Sequence, residues 1–89
     1  MRFLIVLEQT EAGFSVQVPD FAIVTHGKNI QEAKNFTIGA IKTNLDAYQE
    51  AGKGVPQKES VLTHLENPDF EGLLFTYVEA CHSKEILAV

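Results

Sequence analysis

The feature that most limits the fold is one long amphipathic stretch near the middle of the chain. Ile30, Ala33, Thr37, Ile41, Leu45 and Tyr48 recur at steps of three and four, which puts them on one face of a helix. Asn29 stands before the stretch as an N-cap, and Glu32 follows three residues later, a capping-box-like start. Gly52, Gly54 and Pro56 supply the stop. A helix over residues 30–51 is about 33 Å long at about 1.5 Å per residue, enough to lie across a whole small sheet. Gln31, Asn35, Lys42, Asp46 and Glu50 fall on its wet side. Gly39 falls there too and costs about 1 kcal/mol relative to Ala. Phe36 and Ile38 flank the apolar face, either as edge-of-core residues or as contacts with another subunit.

The segment before this helix reads as β structure. Phe3, Ile5 and Leu7 face one side of a first strand and Leu4 and Val6 the other. Apolar residues on both sides indicate a central strand or a sheet covered on both faces. A turn through residues 9–13 leads to Phe14, Val16 and Val18, which alternate with Ser15 and Gln17 as in a half-buried strand. Pro19 and Asp20 end that strand, and residues 21–26 form a third before Gly27. The long helix then packs its apolar face on this antiparallel meander.

Beyond the helix the signals are weaker. Residues 52–60 read as a polar connection and Val61–Leu65 as a fourth strand. Asn67, Pro68 and Asp69 make a helix start. Phe70, Leu73, Leu74, Tyr77, Val78 and Cys81 then fit one helical stripe, which predicts a C-terminal helix over residues 68–81. The run from Leu73 to Val78 also has strong β propensity, so a strand is the alternative. The expected fold is therefore α+β: a three-stranded antiparallel meander, a long helix packed on the sheet, a fourth strand and a C-terminal helix. At 89 residues the chain makes one domain, with a core over 2–66, a helical extension over 67–82 and a tail over 83–89.

Little in the sequence points to catalysis. His26, His64 and His82 are far apart, and none has a metal-ligand partner at the spacing a zinc site needs. His26 and His64 read as hydrogen-bonded structural residues, and His82 as a surface residue. Cys81 is the one cysteine, so no intrachain disulfide forms; on the stripe it reads as a small buried apolar residue. Glu8, Glu11 and Asp20 surround the first hairpin, either as a carboxylate cluster suited to a divalent ion or as solvated turn charges. No glycine-rich phosphate motif occurs, so no cofactor is expected. Twelve acidic against seven basic residues give a net charge of −5, which disfavours a nucleic-acid grip and suits a basic protein partner. No apolar run is long enough for a membrane span. The N-terminal run lacks a signal-peptide cleavage site, and a cytoplasmic location is expected.

The order of these elements, and the residues at their joints, is similar to the HicB-like antitoxin family. The likeness spans about residues 2–66. It rests on a first strand ending in Glu8, the run from Gly13 to Asp20 (Gly-Phe-Ser-Val-Gln-Val-Pro-Asp), and then Gly27, Ile30, Glu32 and Ala33, which resemble the family's G-x-[ST]-x-x-E-A helix start. Gly52 to Pro56 followed by a strand completes it. Phe21, Ala22, Ile23 and Val24 stand where members often have Leu-Pro-Gly-Cys-like residues, and Asn29 replaces the usual Ser or Thr cap. The segment after Glu66 is too short for a separate helix-turn-helix, so direct operator binding is not expected. The resemblance implies a partially degraded ribonuclease-H-like fold without catalytic carboxylates. It implies binding to a small basic mRNA-cleaving toxin, whose active surface is covered, and assembly as a dimer or tetramer. On that reading Glu8, Glu11, Asp20, Phe36 and Ile38 are the candidate partner-binding residues. The competing readings are a homo-oligomeric scaffold or small-ligand binder without a toxin, and a metal-dependent hydrolase. The hydrolase would need two close carboxylates.

Overall fold

The computed structural model describes residues 1–54 and 60–80. Strands β1 (Arg2–Thr10), β2 (Gly13–Val18) and β3 (Ile23–Gly27) lead into helix α1 (Ile30–Glu50). A short helix α2 (Val61–Leu65), a 3-10 turn (Pro68–Phe70) and strand β4 (Leu74–Glu79) follow. The sheet has the order β3-β2-β1-β4 and every pairing is antiparallel. An α+β architecture of a meander carrying one long helix is what the sequence predicts.

The registers fix which residues share a face. Leu7 lies opposite Val16 on one side and Leu74 on the other, and Val16 lies opposite Thr25. Side chains alternate along a strand, so Phe3, Ile5 and Leu7 share a face with Val16, Val18 and Val78. That face is the core, closed by Ala33, Ile41 and Leu45 of α1. Phe21 packs against Phe3 at 5.2 Å between ring centroids and reaches Tyr48 of α1 at 6.1 Å.

Local signals account for α1. The Asn29 side chain accepts a hydrogen bond from the Glu32 N–H at 2.8 Å. Glu32 in turn accepts from the Lys28 N–H at 3.2 Å, one residue before the usual capping-box donor. At the other end the Lys53 N–H donates to the Tyr48 carbonyl and the Gly52 N–H to the Gln49 carbonyl. With Gly52 at φ 70°, this is a Schellman stop. The buried stripe is Ala33, Thr37, Ile41 and Leu45. Ile30, expected on it, is exposed in the first turn. Thr37 is fully buried, so its hydroxyl needs a partner. It donates to the Ala33 carbonyl at 2.7 Å, which leaves the Thr25 hydroxyl, 2.6 Å away, to donate to it.

Two predicted elements are corrected. Val61–Leu65 is a helix and not a strand: the Ser60 hydroxyl caps it by accepting from the Thr63 N–H at 3.3 Å. The predicted helix over residues 68–81 starts as read, with Asn67 accepting from the Asp69 N–H at 2.9 Å, but lasts only three residues. Gly72 turns the chain in the left-handed region, at φ 79°. Residues 74–79 then pair with the open edge of β1. A ladder along β1 satisfies their backbone groups and buries Val78, which outweighs the helical spacing of the apolar residues. Within residues 67–80 the predicted helix is therefore replaced by a 3-10 turn and the strand Leu74–Glu79, the alternative that the β propensity of this run allowed. Cys81, His82 and the tail lie outside the described residues.

The second face of the sheet is also covered. Leu4 and Val6 point away from α1, yet both are buried. Phe70, itself buried, meets Phe75 on that side at 6.2 Å in an edge-on contact. Residues 60–70 thus form a strap across the face opposite α1, and β1 is buried on both sides as its sequence requires.

Candidate functional site

The strap is fastened at one point by a buried polar pair. His64 Nε2 lies 3.1 Å from Asp20 Oδ1, with side chains 7% and 5% exposed. Asp20 sits in the turn after β2, which closes through the Phe21 N–H bonding the Val18 carbonyl. His64 is the buried residue of α2. The pair ties two segments 44 positions apart in the chain. A polar pair this dry holds only with hydrogen-bonded partners, so its first role is structural, as the sequence reading of His64 predicts.

Between the strap and β3 lies a groove of about 420 Å³. Gln17, Ala22, Val24, His64, Asn67 and Phe70 line it. A smaller hollow of about 240 Å³ sits at the start of α1, lined by Thr10, Phe14, His26, Gly27, Lys28 and Glu32. His26 is exposed there and not the bonded structural residue its sequence reading predicts. Glu32 is committed to the Lys28 N–H.

The sequence-predicted residues do not converge. Glu8 is exposed near the end of β1, opposite Ser15, and Glu11 is exposed in the following turn. Asp20 lies at the other end of β2, about 20 Å away by strand length, and is tied to His64. Among the described residues no group of three or more His, Cys, Asp or Glu could hold a metal ion. Ile38 packs against the core, whereas Phe36 is 55% exposed.

Sequence reasoning missed a set of exposed apolar residues. Leu62 is 66% exposed, Leu65 48% and Val24 59%. Leu62 and Leu65 are three apart on a helix and share a side of it. The misread secondary structure of Val61–Leu65 hid this, because a strand there would have paired into the sheet. The one available signal was the Ser60-x-x-Thr63 cap.

The four-stranded antiparallel sheet under one long helix is the architecture of solved antitoxin domains. The N-terminal domain of the antitoxin HicB from Burkholderia pseudomallei is similar with a TM-score of 0.81 and 24% identity, covering 91% of this chain and 99% of that one. The longer antitoxin HicB from the same organism gives 0.78 at 24% identity, over 90% of this chain. This chain spans 63% of that antitoxin's length. A chain of the HicA3 and HicB3 toxin-antitoxin complex gives 0.72 at 20% identity, over 91% of this chain and 99% of that one. At these identities the structures speak for the fold. No curated protein sequence matches. The sequence itself matches the HicB-like antitoxin of bacterial toxin-antitoxin systems over residues 3–85. The chain belongs to the HicB-like antitoxin family. No described helix is long and apolar enough to cross a membrane.

Proposed function

We propose that this chain is a non-catalytic antitoxin that binds a small basic mRNA-cleaving toxin and neutralises it by covering its active surface. The observation that carries this reading is the family match across nearly the whole sequence. Two further observations support it. The net charge of −5 suits a basic protein partner. Among the described residues no group of three or more His, Cys, Asp or Glu could hold a metal ion, so a role through contact fits them better than a metal-dependent hydrolase. A toxin also accompanies the related antitoxin in the solved HicA3 and HicB3 complex. On this reading the chain works in the cytoplasm, where mRNA is the toxin's target, as a dimer or tetramer. It needs no cofactor.

The test is capture of a small basic partner from the native cells with this chain as bait, followed by co-expression of the two. Growth arrest by the toxin alone, relief of that arrest by this chain, and recovery of a stoichiometric complex are the expected outcomes. Arrest that persists at high levels of folded antitoxin overturns the reading. It would leave the homo-oligomeric scaffold as the better account.

A further inference from the structure

The described basic side chains are concentrated on one side. Among the described residues Lys28, Lys34, Lys42 and Lys53 all lie on α1 or just beyond its ends. From Ser60 to Ala80 there is no Lys or Arg, while Glu66, Asp69, Glu71 and Glu79 are exposed. Arg2, the remaining described basic side chain, stacks over Tyr77 at 5.3 Å and lies 3.6 Å from Glu79. On α1 these lysines stand among Glu32, Asp46 and Glu50, which nearly cancel them, so a basic partner meets little net charge there; one approaching the strap meets acidic side chains.

The strap also carries the apolar anchors such a partner needs. Exposed leucines on a five-residue helix are poor for solubility, and on the strap that borders a groove of mixed polar and apolar lining they mark an interaction surface. Leu62 and Leu65 stand on α2, Val24 lies at the groove, and Glu66 and Asp69 follow along the same segment. An apolar centre within a polar, charged rim is the anatomy of a protein-protein interface. The His64–Asp20 pair holds the strap in place before binding, which lowers the entropy lost on association.

We propose that the strap face is where the basic toxin docks, with Leu62 and Leu65 as apolar anchors and Glu66 and Asp69 as the charged rim. This rests on the antitoxin reading above and goes beyond it by choosing the face. It also moves the contact away from Glu8, Glu11 and Phe36.

The probe is the small basic toxin that co-purifies with this chain from its own cells, with its activity removed by substitution, titrated against the full chain by calorimetry. Leu62→Ala with Leu65→Ala should weaken Kd by about tenfold or more, the loss typical of truncated anchors. Glu66→Lys is compared with Glu50→Lys. Both sit at the end of a helix and change the net charge equally, but Glu50 is on α1. Glu66→Lys should weaken binding by on the order of tenfold, and Glu50→Lys should leave it near that of the unsubstituted chain. Thermal melts check that each variant is folded. If Glu66→Lys and Glu50→Lys act equally, or the leucine variant binds as the original does, the face is wrong and the antitoxin reading survives. If the unsubstituted chain does not bind, both fall.

Discussion

At residue scale, two positions hold side chains that suit each other's place. Gly39 is exposed inside α1, and a methyl group there would meet nothing within 4 Å. Gly39→Ala should stabilise the fold by about 0.5–1 kcal/mol, because alanine has less backbone freedom to lose. Ala22 holds φ 55°, in the left-handed region that costs a non-glycine residue about 1 kcal/mol or more. Ala22→Gly relieves that strain, offset in part by glycine's larger unfolded-state entropy, for a net gain of up to about 0.5 kcal/mol. Thermal melts read both changes, since 1 kcal/mol is about 4–8 °C in a domain this small. A lower Tm for Gly39→Ala would mean that the wet face of α1 packs on something in solution. Gly27 is a different case. A methyl group there would overlap the backbone nitrogen and Cα of Ala33, where β3 hands over to α1. Gly27→Ala should therefore cost about 3 kcal/mol by forcing the helix off the sheet. The sequence flagged Gly27 through a family motif, and the close approach supplies the physical reason.

At the scale of elements, the difference between α1 and the C-terminal third is one of range. Everything that makes α1 lies within its own sequence: the Asn29 cap, the four-residue spacing of Ala33, Thr37, Ile41 and Leu45, and the Gly52 stop. Its limits were legible to within a residue. β4 exists because β1 offers an open edge, and the Phe3 to Val78 pairing spans most of the chain. No local period reports that partner, so a strand whose apolar residues also fit a helical stripe was misread. The strap has the same character, with a five-residue helix held by a contact 44 positions away. That dependence is testable. His64→Ala removes a buried ring and leaves a dry Asp20 carboxyl without this partner, so it should cost about 2–3 kcal/mol. The loss should appear first as faster amide exchange in α2 and the 3-10 turn, before global unfolding. If α2 keeps its protection in His64→Ala, then Phe70 and the strap's other contacts hold it, and the pair is dispensable.

At the scale of the whole molecule, the candidate surface was the least legible part of the sequence. The acidic balance was plain from composition, but composition carries no geometry. The carboxylates that sequence proximity suggested, Glu8, Glu11 and Asp20, end up at opposite ends of a strand. Asp69 read as part of a helix start and Glu66 had no assigned role until the strap placed them on the same segment as the exposed leucines. What sets the strap side apart is that the run from Ser60 to Ala80 carries acidic residues and no Lys or Arg, whereas α1 mixes both signs. An acidic patch acts at a distance, before any contact forms, so it should govern encounter more than residence. With a basic toxin, the association rate should fall on the order of tenfold between about 50 mM and about 500 mM salt, as screening shortens to a few ångströms. The dissociation rate, set by the leucine anchors, should change little. Stopped-flow mixing across that salt range separates the two. A salt-insensitive association rate with a rising dissociation rate would mean that the acidic residues are buried ion pairs within the contact and not a steering rim. The charge-reversal at Glu66 would then cost far more than a rim charge does.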